Sequence, residues 1–164
     1  MFYNISFVQA MDKKEFDEYE RRAKKYMALA KACEEGDDKT ALGLLHEGVD
    51  PNGNDFRGVA GELNEGYMAT LIDAPIVSAA RSGNYKIVKA LLRKGADPNL
   101  CCCSCVTSLH EAIIAKHVEI VKLLLENGAD PTIEYNMQLT SLELAEKTGN
   151  QKIIQLIKKY LSKK

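Results

Sequence analysis

Three phrases in the chain say nearly the same thing: LLHEGVDPN at 44–52, LLRKGADPN at 91–99 and LLENGADPT at 124–132. The last two lie 33 residues apart. Ahead of each comes a stretch rich in small residues, LAKACEEGD at 29–37, IVSAARSGN at 76–84 and LHEAIIAKH at 109–117, and a fourth such stretch, LELAEKTGN, follows at 142–150. Ile76, Leu109 and Leu142 keep the 33-residue step, whereas Leu29 to Ile76 spans 47, 14 more than the period. A unit this short cannot bury an apolar face alone, so a fixed period of this length implies supersecondary units stacked on one another.

The content of one unit can be read from its apolar spacing. Leu109, Ala112 and Ile113 recur at helical intervals, and after a turn at Lys116 and His117 a second apolar face runs through Ile120, Val121, Leu124 and Leu125. Alanines at 79, 80, 112 and 145 let helices approach closely. Gly48, Gly95 and Gly128 follow the second helix, where a left-handed cap suits glycine. Pro51, Pro98 and Pro131 come three residues later and block continuation. With 46% hydrophobic and 27% charged residues, the chain has apolar material for a continuous core.

The 33-residue period, together with VTSLHEA (106–112), KIVKALLRKGADPN (86–99) and EIVKLLLENGADPT (119–132), resembles the ankyrin-repeat family. The resemblance covers roughly 26–161 and implies an all-α solenoid of about four helix-pair repeats with β-hairpin-like fingers. Helix pairs are expected near 26–47, 75–94, 108–127 and 141–161. The corresponding repeats lie near 26–52, 73–99, 106–132 and 139–161, with an insertion at 53–72 and a tail at 162–164. Some family positions are changed. Thr107-Ser108, Thr140-Ser141 and Ala74-Pro75 stand for the usual threonine-proline helix start. Only His110 keeps the family histidine; Val77 and Glu143 replace it, which leaves those helix starts with an incomplete bonding network. Cys105 and Gln138 stand where the finger turn has glycine, so altered turns are expected there.

Residues 1–25 form an N-terminal arm and a capping helix. Running on from that arm into the first repeat, 12–35 reads as one long helix with Phe16, Tyr19, Ala23, Tyr26 or Met27, and Ala30 along one stripe. That stripe either covers the core of the first repeat or presents an amphipathic face to a partner. The interleaved acidic and basic residues argue against anionic lipid. Residues 2–8, FYNISFV, are apolar and read as a short strand or a packed arm. The insertion carries Phe56, Leu63, Tyr67, Met68 and Leu71 among four glycines, more apolar bulk than a linker needs. It reads as an elongated finger or short helix, or as a segment packing on itself.

The formal net charge of -1 gives no global attraction to nucleic acid or membrane, no segment is long and apolar enough to span a bilayer, and the N-terminus has no secretory pattern. Five cysteines, four of them at 101, 102, 103 and 105, make a poor disulfide framework and fit reduced thiols in a cytosol, the chain's own or that of a host cell. Four thiols within five residues do not surround one metal ion without a second segment, and no basic residue stands beside them to activate a thiolate. No nucleotide, zinc-protease or serine-nucleophile motif surrounds His46, His110 or His117. The expectation is a non-enzymatic module without cofactor or metal, monomeric by itself, binding one or more proteins. The alternatives are a structural subunit of a larger assembly and a thiol-based metal or redox protein using Cys101–Cys105. Carried over by register, the resemblance implies a concave binding face containing Arg81, Ser82, Cys103, Ser104, Val106, Ile114, Ala115, Met137 and Leu139. Phe56 and Tyr67 of the extended first finger join them, and Arg81 is matched to an acidic partner group.

Overall fold

The computed structural model describes residues 12–53, 73–100, 106–136 and 138–162. Eight helices occupy them: α1 Lys13–Glu35, α2 Asp38–His46, α3 Pro75–Ser82, α4 Tyr85–Arg93, α5 Ser108–Ile114, α6 Val118–Glu126, α7 Ser141–Thr148 and α8 Gln151–Leu161. Each odd-numbered helix packs on the helix that follows it. The odd-numbered helices also pack on one another in series, and so do the even-numbered ones, giving a first-helix row and a second-helix row. This is the all-α stack of helix pairs that the period implies. Among the described residues there is no strand, and the one β pairing is an isolated antiparallel bridge between Tyr135 and Leu139.

Local chemistry sets the helix boundaries. Asp12 and Glu15 form a reciprocal capping box at the start of α1, with Glu15 N–H donating to Asp12 at 2.9 Å and Asp12 N–H to Glu15 at 3.0 Å. Asp37 and Asn84 cap α2 and α4 through the third residue's N–H, at 3.1 Å in each case. The turn between paired helices needs a positive φ, and Gly36, Gly83 and Gly149 supply it at +72°, +78° and +70°. Lys116 holds the same register with φ +61°, a conformation that costs any residue with a Cβ. The adjacent His117 ring lies over Gly83 of the preceding repeat, where a Cβ would come within 2.5 Å of it.

One cluster of buried apolar residues runs the length of the stack, from Leu29 and Cys33 in α1 to Ile153 and Ile157 in α8. Leu91 and Leu124, matched positions of α4 and α6, are fully buried. The phrase Asp-Pro-Asn fixes the spacing between neighbours. Asp97 accepts from Asn99 N–H at 2.9 Å and turns the loop, and Pro98 is buried. The Asn99 amide then clasps the next loop: Nδ2 donates to the Gly128 carbonyl at 3.0 Å and Oδ1 accepts from Asp130 N–H at 2.7 Å. Asn52 repeats this clasp one unit earlier on Gly95 (2.9 Å) and Asp97 (2.8 Å). Thr132 stands at the third such position and lacks the two-ended amide that makes the clasp.

The last pair is also polar where its predecessors are not. At the registers of Ile113 and Leu125, both buried, it carries Glu146 and Lys158, which pair at 3.5 Å. At the other end α1 runs far longer than the other first helices. Its expected stripe is largely covered: Tyr19, Ala23, Tyr26 and Ala30 are buried, and Phe16 and Met27 are half-buried. Val49 packs against the Tyr19–Ala23–Tyr26 cluster, and Lys25 reaches Glu47 at 2.8 Å.

Two expectations about the loops need correction. Glu143 does not leave its helix start incomplete. Its carboxylate accepts from both Thr140 N–H and the Thr140 hydroxyl at 2.8 Å, doing locally what His110 does in α5. The incomplete start is that of α3, where Ala74 makes no side-chain cap. In the last finger the residue with positive φ is Asn136, at +51°, not Gln138. Asparagine tolerates that conformation, and Gln138 N–H closes the turn on the Tyr135 carbonyl at 3.1 Å.

Two substitutions test this packing. Leu124→Ala is expected to cost about 2–5 kcal/mol in urea unfolding, as for a large buried side chain cut to a methyl; a loss under about half a kcal/mol contradicts the register. Lys116→Gly is expected to stabilise by about 1 kcal/mol, because the left-handed turn then carries no Cβ penalty. An unchanged or lowered unfolding midpoint contradicts that reading of the turn.

Candidate interaction surface

The last turn of each first helix leaves one residue outside the core at the same register: Glu34, Arg81, Ile114 and Lys147, all exposed. Three are charged. Ile114 is 41% exposed and, with Tyr85, is one of two large hydrophobic residues exposed among the described residues. The two differ in surroundings. Tyr85 begins α4 and is covered on one face by Lys89, whose ammonium lies 5.8 Å from the ring centroid. Ile114 ends α5, and its neighbour Ile113 is buried, so the core is filled without it.

Arg81 is held by its own chain. Its Nε and Nη2 donate to the two oxygens of Glu111 at 3.0 and 3.2 Å, and Nη2 also meets Asp73 at 2.5 Å. Glu111 lies on α5 one turn before Ile114, and Asp73 lies just ahead of α3, so the guanidinium ties two repeats together. The Glu111 bond is the main cause that raises its pKa above the ordinary arginine value, with Asp73 adding to it and partial burial opposing. The expectation that Arg81 faces an acidic partner group is therefore revised: two carboxylates of the same chain already use its donors. Sequence reasoning missed Asp73 and Glu111. The available signal was the 30-residue separation of Arg81 and Glu111, one period less one helical turn.

The other expected face residues divide three ways. Ser82 is exposed, and its hydroxyl lies 3.1 Å from both the Cys33 and Ala79 carbonyls, which gives it a role in seating α3 on α1. Ala115, Val106 and Leu139 are half-buried, and Leu139 packs against the core. Cys103, Ser104, Met137, Phe56 and Tyr67 lie outside the described residues, as do the other thiols of the 101–105 cluster.

His110 is a structural group. Its Nε2 lies 3.0 Å from the Ile133 carbonyl, which can only accept, so the proton sits on Nε2. The bare Nδ1 then accepts from Thr107 N–H at 3.1 Å. The ring also meets Tyr135 edge-on at 5.6 Å between centroids, docking the last finger on α5. Fully buried, it is out of reach of any substrate. Cys33 is likewise buried, and burial pushes its thiol up to about 12, so it stays protonated and inert near neutral pH. Among the described residues no cluster of His, Cys, Asp and Glu could hold a metal ion, and no helix is long and apolar enough to cross a membrane.

A family model described as ankyrin repeats matches residues 76–164 in three copies. No curated protein matches the chain. The matched region contains Arg81, Glu111, Ile114 and Lys147 and begins one residue into α3, so the first helix pair lies ahead of it.

The guanidinium bridge makes a stability prediction. Arg81→Ala is expected to cost about 1 kcal/mol in urea unfolding, more than an isolated surface pair, because a bidentate bond and a second carboxylate are lost together. Lys147→Ala, at the same register without such a bridge, serves as the control. Equal effects of the two substitutions contradict the bridging role.

Proposed function

This chain belongs to the ankyrin-repeat family, and on that premise we propose that it is a non-enzymatic binding module whose partner protein docks on the first-helix row around Ile114. Ankyrin repeats are generally protein–protein interaction modules. The observation that carries the reading is the exposure of Ile114 at a register where the neighbouring repeats carry charge. A β-branched hydrophobe there contributes nothing to the core, and its transfer from water into an interface is favourable. An apolar centre bordered by polar groups is the usual anatomy of a protein interface.

The inserted segment at 53–72 enters the proposal as a second contact through Phe56 and Tyr67. Its apolar content supports that role, as does its place at the first loop of the array. The two contributions can be separated. A partner captured with the intact chain is measured against Ile114→Ser and against deletion of 57–69. Ile114→Ser is expected to leave the unfolding midpoint nearly unchanged and to weaken binding by about 2 kcal/mol, the scale of an interface hot spot. Normal binding by Ile114→Ser, together with loss of binding on deletion of 57–69, would move the site to the inserted segment.

A further inference from the structure

We propose that Asn52 is a self-modifying site: its spontaneous conversion to aspartate or isoaspartate unlocks the joint between the first two repeats, and the closed joint itself holds the reaction back. Two demands of the fold meet here on adjacent residues. Position 52 needs a side-chain amide, because Nδ2 donates to the Gly95 carbonyl at 2.9 Å while Oδ1 accepts from Asp97 N–H at 2.8 Å. Position 53 needs glycine, because φ is +60° and a Cβ would run into the buried Tyr26 ring of α1. Together they make Asn-Gly, the dipeptide in which an asparagine side chain cyclises most readily, since no side chain shields the following nitrogen or restricts its backbone. The matching clasp residue, Asn99, is followed by Leu100, which shields its nitrogen.

The reaction consumes only water. The Gly53 nitrogen gives its proton to a solvent base and attacks Cγ of Asn52. The Cγ–Nδ2 bond breaks, and that nitrogen takes up a proton from solvent and leaves as ammonia. Water then opens the cyclic imide: cleavage at Cγ gives aspartate, and cleavage at the main-chain carbonyl gives isoaspartate. In the closed joint the amide is tethered at both ends to the next loop, and Gly53 N–H is turned toward the Asp50 carbonyl at 3.4 Å, so the two reacting atoms are held apart. Local opening of the joint releases both. The product cannot remake the clasp. Aspartate sets a carboxylate oxygen against the Gly95 carbonyl, acceptor on acceptor, and adds negative charge beside Asp50, which accepts from the residue 52 N–H at 2.9 Å. Isoaspartate also lengthens the main chain by one carbon and so shifts Gly53 off the Tyr26 ring. The second joint keeps its Asn99 clasp, so the loosening is confined to the first.

The test ages the full chain at mildly alkaline pH, native and in fully denaturing urea, and follows each asparagine by peptide mass spectrometry that separates aspartate from isoaspartate. In urea, Asn52 and Asn127, the other asparagine that precedes a glycine, are expected to convert at similar rates, and Asn99 about tenfold more slowly or less. In the native chain Asn52 is expected to slow about tenfold or more relative to urea, because conversion then waits on opening. Asn52→Asp is expected to raise hydrogen exchange at Asp97 N–H about tenfold, while Asp130 N–H, held by Asn99, exchanges as before. The aged wild-type chain gives the same readout without a substitution. Asn52 as slow as Asn99 in urea would remove the site. Equal conversion of Asn52 in native and unfolded chains would remove the gate. Unchanged exchange at Asp97 N–H in both the variant and the aged chain would remove the unlocking. Any one of these results overturns the proposal.

Discussion

Each helix pair of this chain leaves an apolar side that only the next pair can cover, and the rest of the structure follows from that dependence. Ile76, Leu109, Leu91 and Leu124 are buried because neighbouring pairs close over them. Burial of this kind is strong but does not specify direction. Spacing comes from the loops, where Asn52 and Asn99 each use both ends of a side-chain amide to hold the following loop at fixed distance. The Arg81 bridge adds a further tie between repeats, at the exposed C-terminal end of α3.

A stack held this way must stop holding somewhere. At the last pair the residues that would face a further repeat become Glu146 and Lys158, and the clasping asparagine becomes Thr132. At the first pair the added length of α1 brings Tyr19, Ala23 and Tyr26 to a second small cluster beside Val49. Array proteins need polar or covered ends of this kind for solubility. Once the ends and the interior are accounted for, the last turns of the first helices remain, and Ile114 is the residue there that neither folding nor solubility explains.

The helix pairs were legible in the sequence because apolar spacing and period carry them directly. The same reading caught the long first helix and the turn glycines. What it missed were side-chain bonds between repeats. Asp-Pro-Asn reads as a stop signal, yet the asparagine's work is done 29 to 45 residues away. Arg81 looked free because the carboxylates that hold it lie 8 and 30 residues off, outside any local pattern. Glu143 looked like a lost histidine because comparison with the repeat pattern registers identity, not the hydrogen-bonding capacity that a carboxylate shares with a bare imidazole nitrogen. Of the expected face residues, Ile114 was placed by the repeat register of the resembling family, and it stands exposed while Leu109, Ala112 and Ile113 of its helix are buried.

Hydrogen exchange of the complex with a captured partner tests the central claim most directly, because it maps the contact without altering the chain. The account predicts that binding slows exchange in the last turns of the first helices, around 81–82, 114–115 and 147–148. Exchange on the exposed sides of α4 and α6 should stay as it is in the free protein. Protection confined to the second-helix row, with none near Ile114, would contradict it.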